Sequence, residues 1–98
     1  MTAAVAIPPP MPQSQLDAAV LRVKENAAAF ARTSIDERIA FLRQMRDGYM
    51  SIAEESVRLA CAYKGVPFES PSSGEEWLAG PMVTIRVLRL TEHALREV

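Results

Sequence analysis

Cysteine, histidine and tryptophan each occur only once in this chain of 98 residues. A single cysteine excludes an internal disulfide bond and a zinc site built from several cysteines. The sequence contains neither GxGxxG nor GxxxxGK(S/T), the two glycine-rich motifs that hold phosphate groups. We therefore predict no catalytic, cofactor-binding or metal-ligating residue, and no cofactor, in this chain.

Long apolar runs and an excess of charge of one sign are also missing. No run approaches the roughly 20 apolar residues of a membrane span. The opening MTAAVAI has no positive charge, and its apolar run is too short for a secretory signal. The net charge is −1 and the basic residues are scattered, so a nucleic-acid or anionic-membrane surface is not expected. We expect a cytoplasmic, soluble protein without nucleic-acid or membrane partners.

Proline is concentrated at the start of the chain. Residues 1–13 contain Pro8, Pro9, Pro10 and Pro12, which prevent a helix and favour extended polyproline conformations. We predict a disordered tail over 1–13, followed by one helical domain, or the N-terminal fragment of a larger enzyme, over 14–98. Pro9 and Pro12 have the spacing of a PxxP ligand, a less favoured interpretation of the same tail.

The stretch from 34 to 64 predicts one long amphipathic helix. Ser34 and Glu37 form a capping box at its start, and Gly65 is suited to a left-handed C-cap. Arg43/Asp47 and Glu54/Arg58 have the spacing of helical ion pairs. The apolar residues follow the helical period: Ile35, Ile39, Leu42, Met45, Tyr49, Ile52, Val57, Ala60 and Cys61.

A shorter helix is predicted before it, over 14–31. Ser14 and Asp17 form a second capping-box pattern. The joint at 32–34 is so short that the two helices must turn sharply, either antiparallel or at a steep angle. The apolar stripe of this helix contains Leu16, Val20, Val23, Ala27 and Phe30.

The third helix is predicted over 73–97. Ser73 and Glu76 form its capping box, and the sequence Gly80-Pro81 predicts a break. A strand is possible for 83–87, but the later period and a Glu92/Arg96 pair favour helix. Three helices without a strand pattern predict an all-α, three-helix arrangement. The predicted face contains Val83, Val87, Leu90, Ala94 and Leu95, widened by Ile85 and Leu88.

Three single residues invite a functional interpretation. Cys61 lies on the apolar stripe with no histidine near it in sequence, so it is predicted to be a buried thiol. His93 is predicted to lie on the surface of the last helix. Trp77 is predicted to anchor the loop after the long helix, with partner binding as the less favoured alternative.

The long helix also resembles the N-terminal helical region of the aldehyde dehydrogenase superfamily. The resembling residues are Phe30, Glu37-Arg38, Leu42-Arg43, Ala53-Glu54-Glu55, Ala60 and Gly65-Val66-Pro67. The segment 74–81, GEEWLAGP, resembles a stretch in a divergent bacterial branch of that superfamily. The usual Glu-x-Gly-Lys-Pro of the family is replaced here by Tyr63-Lys64-Gly65-Val66-Pro67.

The resemblance implies a chain truncated before the cofactor and catalytic domains. In the family these helices pack against a Rossmann-type domain that binds NAD or NADP, and the cysteine nucleophile and glutamate base follow much later. Cys61 matches no catalytic motif of the family. The leading hypothesis is an N-terminal structural segment of an NAD(P)-dependent enzyme, not catalytic by itself, that self-associates or packs on the remainder of that enzyme. The alternatives are an independent helical protein–protein interaction module and a small enzyme that uses Cys61 or His93.

Overall fold

The computed structural model describes residues 6–98, which contain helices and no strand. The first helix, α1, is Gln13–Ala31 and the second, α2, is Ile35–Lys64. The third helical segment begins with a 3₁₀ turn, Pro71–Ser73, and continues through α3 (Gly74–Trp77), a π-helical turn (Leu78–Met82) and α4 (Val83–Arg96). The predicted all-α, three-helix arrangement is confirmed. Residues 1–5 of the predicted tail lie outside the described residues.

The helix α1 begins differently from the prediction. Its N-cap is Pro12, in a polyproline conformation with φ −57° and ψ 143°, and no side chain caps it. Asp17 instead accepts a hydrogen bond from Gln13 Nε2 at 2.8 Å, so the predicted box between Ser14 and Asp17 is wrong. Proline restricts the preceding backbone and lacks an N–H, so it provides a start signal without any side-chain cap.

Both ends of α2 follow the sequence rules. The Ser34 hydroxyl accepts from the backbone amide of Glu37, whose carboxylate accepts from the amide of Ser34 at 2.7 Å. These bonds lower the pKa of Glu37, the bond from the Ser34 amide being the main cause. At the other end Gly65 has φ 69°, and the amide of Val66 donates to the Cys61 carbonyl at 2.9 Å. The predicted capping box and left-handed C-cap are both confirmed.

Gly48 inside α2 and Gly65 at its C-cap provide a matched test of these backbone conformations. Gly65→Ala is expected to destabilise the fold by about 1–2 kcal/mol, because alanine is strained in the left-handed region. Gly48→Ala, inside α2, is expected to stabilise it by about 0.5–1 kcal/mol. A Cβ at either position would meet no atom within 4 Å, so sterics do not separate the two variants. Urea denaturation followed by circular dichroism measures both, and shifts of the same sign would contradict the assignment.

The third helical segment departs from its predicted start, whereas the predicted break at Gly80-Pro81 is present as an interruption of the regular α-helix. The Ser73 hydroxyl donates to the Ser70 carbonyl at 2.9 Å and Glu76 pairs with Lys64, so the predicted Ser73/Glu76 box is wrong. At Gly80-Pro81 the segment widens into a π-helical turn rather than stopping. A π-helical turn accommodates a residue that cannot donate to the regular helical ladder. The strand alternative for 83–87 is wrong, since these residues belong to α4.

The core is thin and lies between α2 and the third helical segment. Its buried apolar side chains are few and come mostly from the C-terminal half of α2: Ala53, Val57, Cys61 and Leu88. Leu88, predicted only to widen the face of α4, is the residue of α4 that enters the core, whereas Val87 and Leu90 are exposed. Two antiparallel helices with so few interior residues form a single packed layer.

The helix α1 does not join this layer. None of its residues is buried, which contradicts the antiparallel alternative predicted for the joint at 32–34 and leaves the steep angle. The radius of gyration is 17.1 Å, against about 13 Å for a compact domain of this length. The chain measures 50 × 37 × 16 Å along its principal axes.

Candidate association surface

Cys61 is placed where the apolar periodicity predicted. Only 1% of its surface is exposed, and Val57, one turn earlier, is equally buried. The thiol is free and lies inside the packed layer. A nucleophile needs access to its substrate and a base within hydrogen-bond reach. Its burial therefore supports a packing role for Cys61.

His93 is exposed on α4 and lies far along the layer from Cys61. The two helices run antiparallel, since Arg43 near the start of α2 contacts Glu92 near the end of α4. Cys61 lies at the opposite end of α2, where Lys64 contacts Glu76 of α3. The structure therefore does not bring the two together. Residues 6–98 contain no group of three or more His, Cys, Asp or Glu side chains arranged to hold a metal ion.

A cluster of charged side chains connects the start of α2 with the end of α4. Glu92 Oε1 accepts from Arg43 Nε at 2.7 Å and from Arg96 Nη2 at 2.6 Å, and Oε2 accepts from Arg46 Nη1 at 3.4 Å. The Glu92 side chain is 9% exposed. Its pKa is lowered, chiefly by the hydrogen bond from Arg43, although burial acts in the opposite direction. We call these four residues the Glu92 cluster.

The sequence predicted only part of the Glu92 cluster. The Glu92/Arg96 pair is confirmed, but the predicted Arg43/Asp47 pair is wrong because Arg43 reaches across to α4. The available signal was the position of Glu92, four residues after the buried Leu88. A carboxylate on the core-facing side of a helix requires a cationic partner. The sequence could not indicate which arginine of α2 would provide it.

A second ion pair fixes the far end of the layer. Lys64 Nζ contacts Glu76 Oε1 at 2.6 Å, and this hydrogen bond is the main cause that raises the pKa of Lys64. The predicted Glu54/Arg58 pair is confirmed at 2.8 Å. The Arg58 guanidinium also lies 3.7 Å from the centre of the Phe68 ring. These contacts hold the loop after α2 against the end of that helix.

Trp77 both anchors this loop and borders an open cleft. Its ring lies 6.5 Å from that of Phe68, centroid to centroid, as the anchoring prediction required. It is nevertheless 37% exposed. The cleft has a volume of about 430 Å³ and lies between α2 and the third helical segment, and we call it the Trp77 cleft. Its lining residues are mostly apolar: Met50, Ala53, Trp77, Pro81, Met82, Ile85, Arg86 and Arg89.

The apolar stripe of α1 is exposed along its length. Val20 is 68% exposed and Val23 is 72% exposed, with Leu16 and Phe30 also open to solvent. At the end of α1 the Phe30 ring lies 6.4 Å from that of Phe41 in a stacked arrangement. The predicted stripe exists, but within residues 6–98 nothing covers it.

The joint between α1 and α2 is nevertheless fixed. Arg38 Nε donates to Thr33 Oγ1 at 3.1 Å, and Nη2 donates to the Ala31 carbonyl, also at 3.1 Å. The guanidinium carbon lies 5.3 Å from the centre of the Phe30 ring. One arginine thus caps the free carbonyls at the end of α1 and stacks on its last aromatic ring. The result is a helix held at a defined orientation without packing along its length.

None of the described helices is both long and apolar enough to cross a membrane. The chain matches no family model, no curated protein and no solved structure. The resemblance to aldehyde dehydrogenases therefore depends on the residues quoted above and remains a hypothesis.

Proposed function

We propose that this chain is a non-catalytic helical association module, which packs its uncovered apolar surfaces against protein. The observation that supports this most strongly is α1, a helix of 19 residues with no buried side chain. In water, helices of this length depend on burying an apolar face, because helical propensity alone leaves them marginal. An apolar stripe on a helix with a fixed joint is suited to meeting a partner surface.

The total surface area supports the same proposal. The chain exposes 7701 Å², whereas a compact monomer of 10.8 kDa exposes about 5,500 Å². The excess of roughly 2,200 Å² is comparable to what one partner loses in a large obligate interface. Helices in globular domains usually pack against a second layer of secondary structure. A partner protein on the α1 stripe would provide such a layer and cover part of this excess surface.

A second candidate is an N-terminal structural segment of an aldehyde dehydrogenase-like, NAD(P)-dependent enzyme. Most residues that carry the resemblance occupy α2 and the turn at 65–67, while Phe30 belongs to α1 and 74–81 to the third helical segment. In that case α1 and the exposed side of α4 would pack on the cofactor-binding domain. Calorimetric titration with NAD⁺ tests the non-catalytic role that both candidates share, and saturable binding by the 98-residue chain would contradict it.

Substitutions on the α1 stripe test the association proposal. We expect the double variant Val20→Glu, Val23→Glu to weaken association by roughly 100-fold or more, because each valine contributes about 1.5 kcal/mol or more when buried. Both side chains already face solvent in the free chain. The free energy of unfolding of the layer formed by α2 and α4 should therefore change by less than about 0.5 kcal/mol. Light scattering over a range of concentrations measures the first effect and circular dichroism the second.

The matched control is Arg22→Gln with Lys24→Gln, which changes the charge of α1 by the same amount without altering the stripe. It should associate as the unsubstituted chain does. Hydrogen exchange of the dilute, unassociated chain adds an independent measurement. In that state the backbone amides of α1 should exchange faster than those near Val57. An unsubstituted chain that stays monomeric with a strongly protected α1 would overturn the association proposal.

A further inference from the structure

The run from Gly74 to Arg96 presents one exposed stripe with charge of opposite sign at its two ends. Glu75, Leu78, Met82, Arg86 and Arg89 follow one another at steps of three, four, four and three, so they share a broad face of this run. All five are exposed, Leu78 at 57% and Met82 at 54%. The stripe is acidic at its start, apolar in its middle and basic at its end.

The positions of these residues are symmetric about Met82. Glu75 lies seven residues before it and Arg89 seven residues after it, while Leu78 and Arg86 lie four residues away on either side. In an antiparallel contact of this stripe with a second copy, a two-fold axis at Met82 places Glu75 opposite Arg89 twice. A surface of this kind is complementary to itself, as a two-fold interface requires.

The charges at the two ends form no direct contact with an opposite charge within residues 6–98. The pKa of Lys64 is raised mainly by its hydrogen bond to Glu76, and the charge of Glu75 adds to this shift. Across residues 6–98, Glu75, Arg86 and Arg89 make no ion pair and no side-chain hydrogen bond, whereas the neighbouring Glu76 and Glu92 do. Arg89 also lies beside the Glu92 cluster, where four arginines face a single glutamate. An uncompensated positive charge there favours an incoming carboxylate.

The Trp77 cleft lies alongside the stripe and offers an apolar pocket. The Trp77 cleft is bordered by Met50 on α2 and by Trp77 and Met82 on the third helical segment. Its volume of about 430 Å³ exceeds that of a methionine side chain. Methionine is flexible and fits irregular apolar gaps. The Met82 of a second copy, close to the axis, is positioned to enter it.

We propose that two copies of this chain form a two-fold dimer by packing Gly74–Arg96 antiparallel, with Glu75 of each copy facing Arg89 of the other. The inference rests on the proposed association function and adds to the α1 stripe a second interface, at which the partner is a second copy of the chain. Leu78 and Met82, each more than half exposed, provide the apolar contact at the centre of such a dimer. The near-neutral net charge of −1 adds little repulsion between copies.

Charge reversal tests the pairing. In the dimer of Glu75→Arg, the new arginine of each copy faces Arg89 of the other copy, so like charges repel. In the dimer of Arg89→Glu, the new glutamate of each copy faces Glu75 of the other. Each single variant should therefore dimerise at least tenfold more weakly. The double variant restores opposite charges and should recover the dimer. A mixture of the two single variants should form a heterodimer in preference to either homodimer. Glu55→Arg, an equal change at an exposed site of α2 outside the stripe, serves as the control.

Sedimentation equilibrium of the full chain and its variants, with circular dichroism to verify folding, gives each dissociation constant. Recovery in both the double variant and the mixture supports the dimer. Single variants that dimerise like the unsubstituted chain overturn the pairing, and if Val20→Glu, Val23→Glu abolishes that association, the module function stands with α1 as its interface. A chain that is monomeric at every concentration with a protected α1 overturns both proposals.

Discussion

Replacing Leu88 with alanine is expected to cost about 2–5 kcal/mol of folding free energy, a large share of the stability of so small a domain. Leu88 is the only residue of α4 among the buried apolar side chains described, and the others, Ala53, Val57 and Cys61, belong to α2. A thin layer has few neighbours that can move in to fill the space left by the missing atoms. We therefore expect the cost to lie in the upper part of this range, and the variant to be largely unfolded at 37 °C.

Leu90→Ala is the matched control for this experiment. Leu90 is on the same helix two residues later, but 55% of its surface is exposed, so the same substitution should cost less than about 0.5 kcal/mol. Urea denaturation of both variants, followed by far-ultraviolet circular dichroism, measures the difference. Equal losses from the two leucines would show that the core has been assigned to the wrong face of α4.

That face illustrates what the sequence could not decide. The amphipathic pattern of α4 is clear, but Val83, Val87 and Leu90 form a second apolar series beside the one that contains Leu88. In a chain with excess apolar surface, periodicity locates the helix and leaves the choice of face to tertiary contacts. The ion pairs of Glu92 with Arg43 and Arg46 hold α4 with the side of Leu88 and Glu92 towards α2. They join residues more than 40 positions apart, so the local pattern does not reveal them.

Local rules succeeded where the interaction itself is local. Ser34 and Glu37 satisfy each other within one turn, and Gly65 adopts the left-handed conformation that its position required. Ser14 and Ser73 show the limit of the same rule, because Pro12 starts α1 one residue earlier and Glu76 is drawn to Lys64. A capping box is a weak preference, and a nearby proline or a free cation overrides it.

The same contrast applies to the candidate surface. The exposed stripe of α1 was predicted residue by residue, because periodicity alone defines it. The Trp77 cleft was not predicted, because its walls come from two elements distant in sequence, with Met50 on α2 and Met82 in the π-helical turn. Trp77 itself was predicted either to anchor the loop or to bind a partner, and its partial exposure is compatible with both.

Replacing Glu92 with glutamine should destabilise the fold more than any other substitution of a charged residue. The amide removes the negative charge that Arg43, Arg46 and Arg96 share, and leaves three cations close together at the contact of α2 with α4. Breaking an ion pair with one buried partner is costly because the remaining charges lose their compensation. We expect the melting temperature at pH 7 to fall by roughly 5–10 °C.

The pH dependence of this loss follows from the lowered pKa of Glu92. Its ordinary value is 4.5 and the arginines depress it in the folded chain. The carboxylate therefore contributes its full stabilisation above pH 4.5, and this contribution disappears as the pH falls through the lower folded value. Below both values Glu92 is neutral and resembles glutamine, so the difference in melting temperature between the unsubstituted chain and Glu92→Gln should shrink towards zero.

Thermal melts of both proteins at several pH values between 7 and about 3 measure this difference. Glu97→Gln is the control, because Glu97 lies at the end of the same helix, is exposed and makes no ion pair within residues 6–98. Its melting temperature should follow that of the unsubstituted chain at every pH. A difference for Glu92→Gln that stays constant as the pH falls would mean that glutamine disturbs the packing rather than the charge, and the Glu92 cluster would not hold α4 on α2 electrostatically.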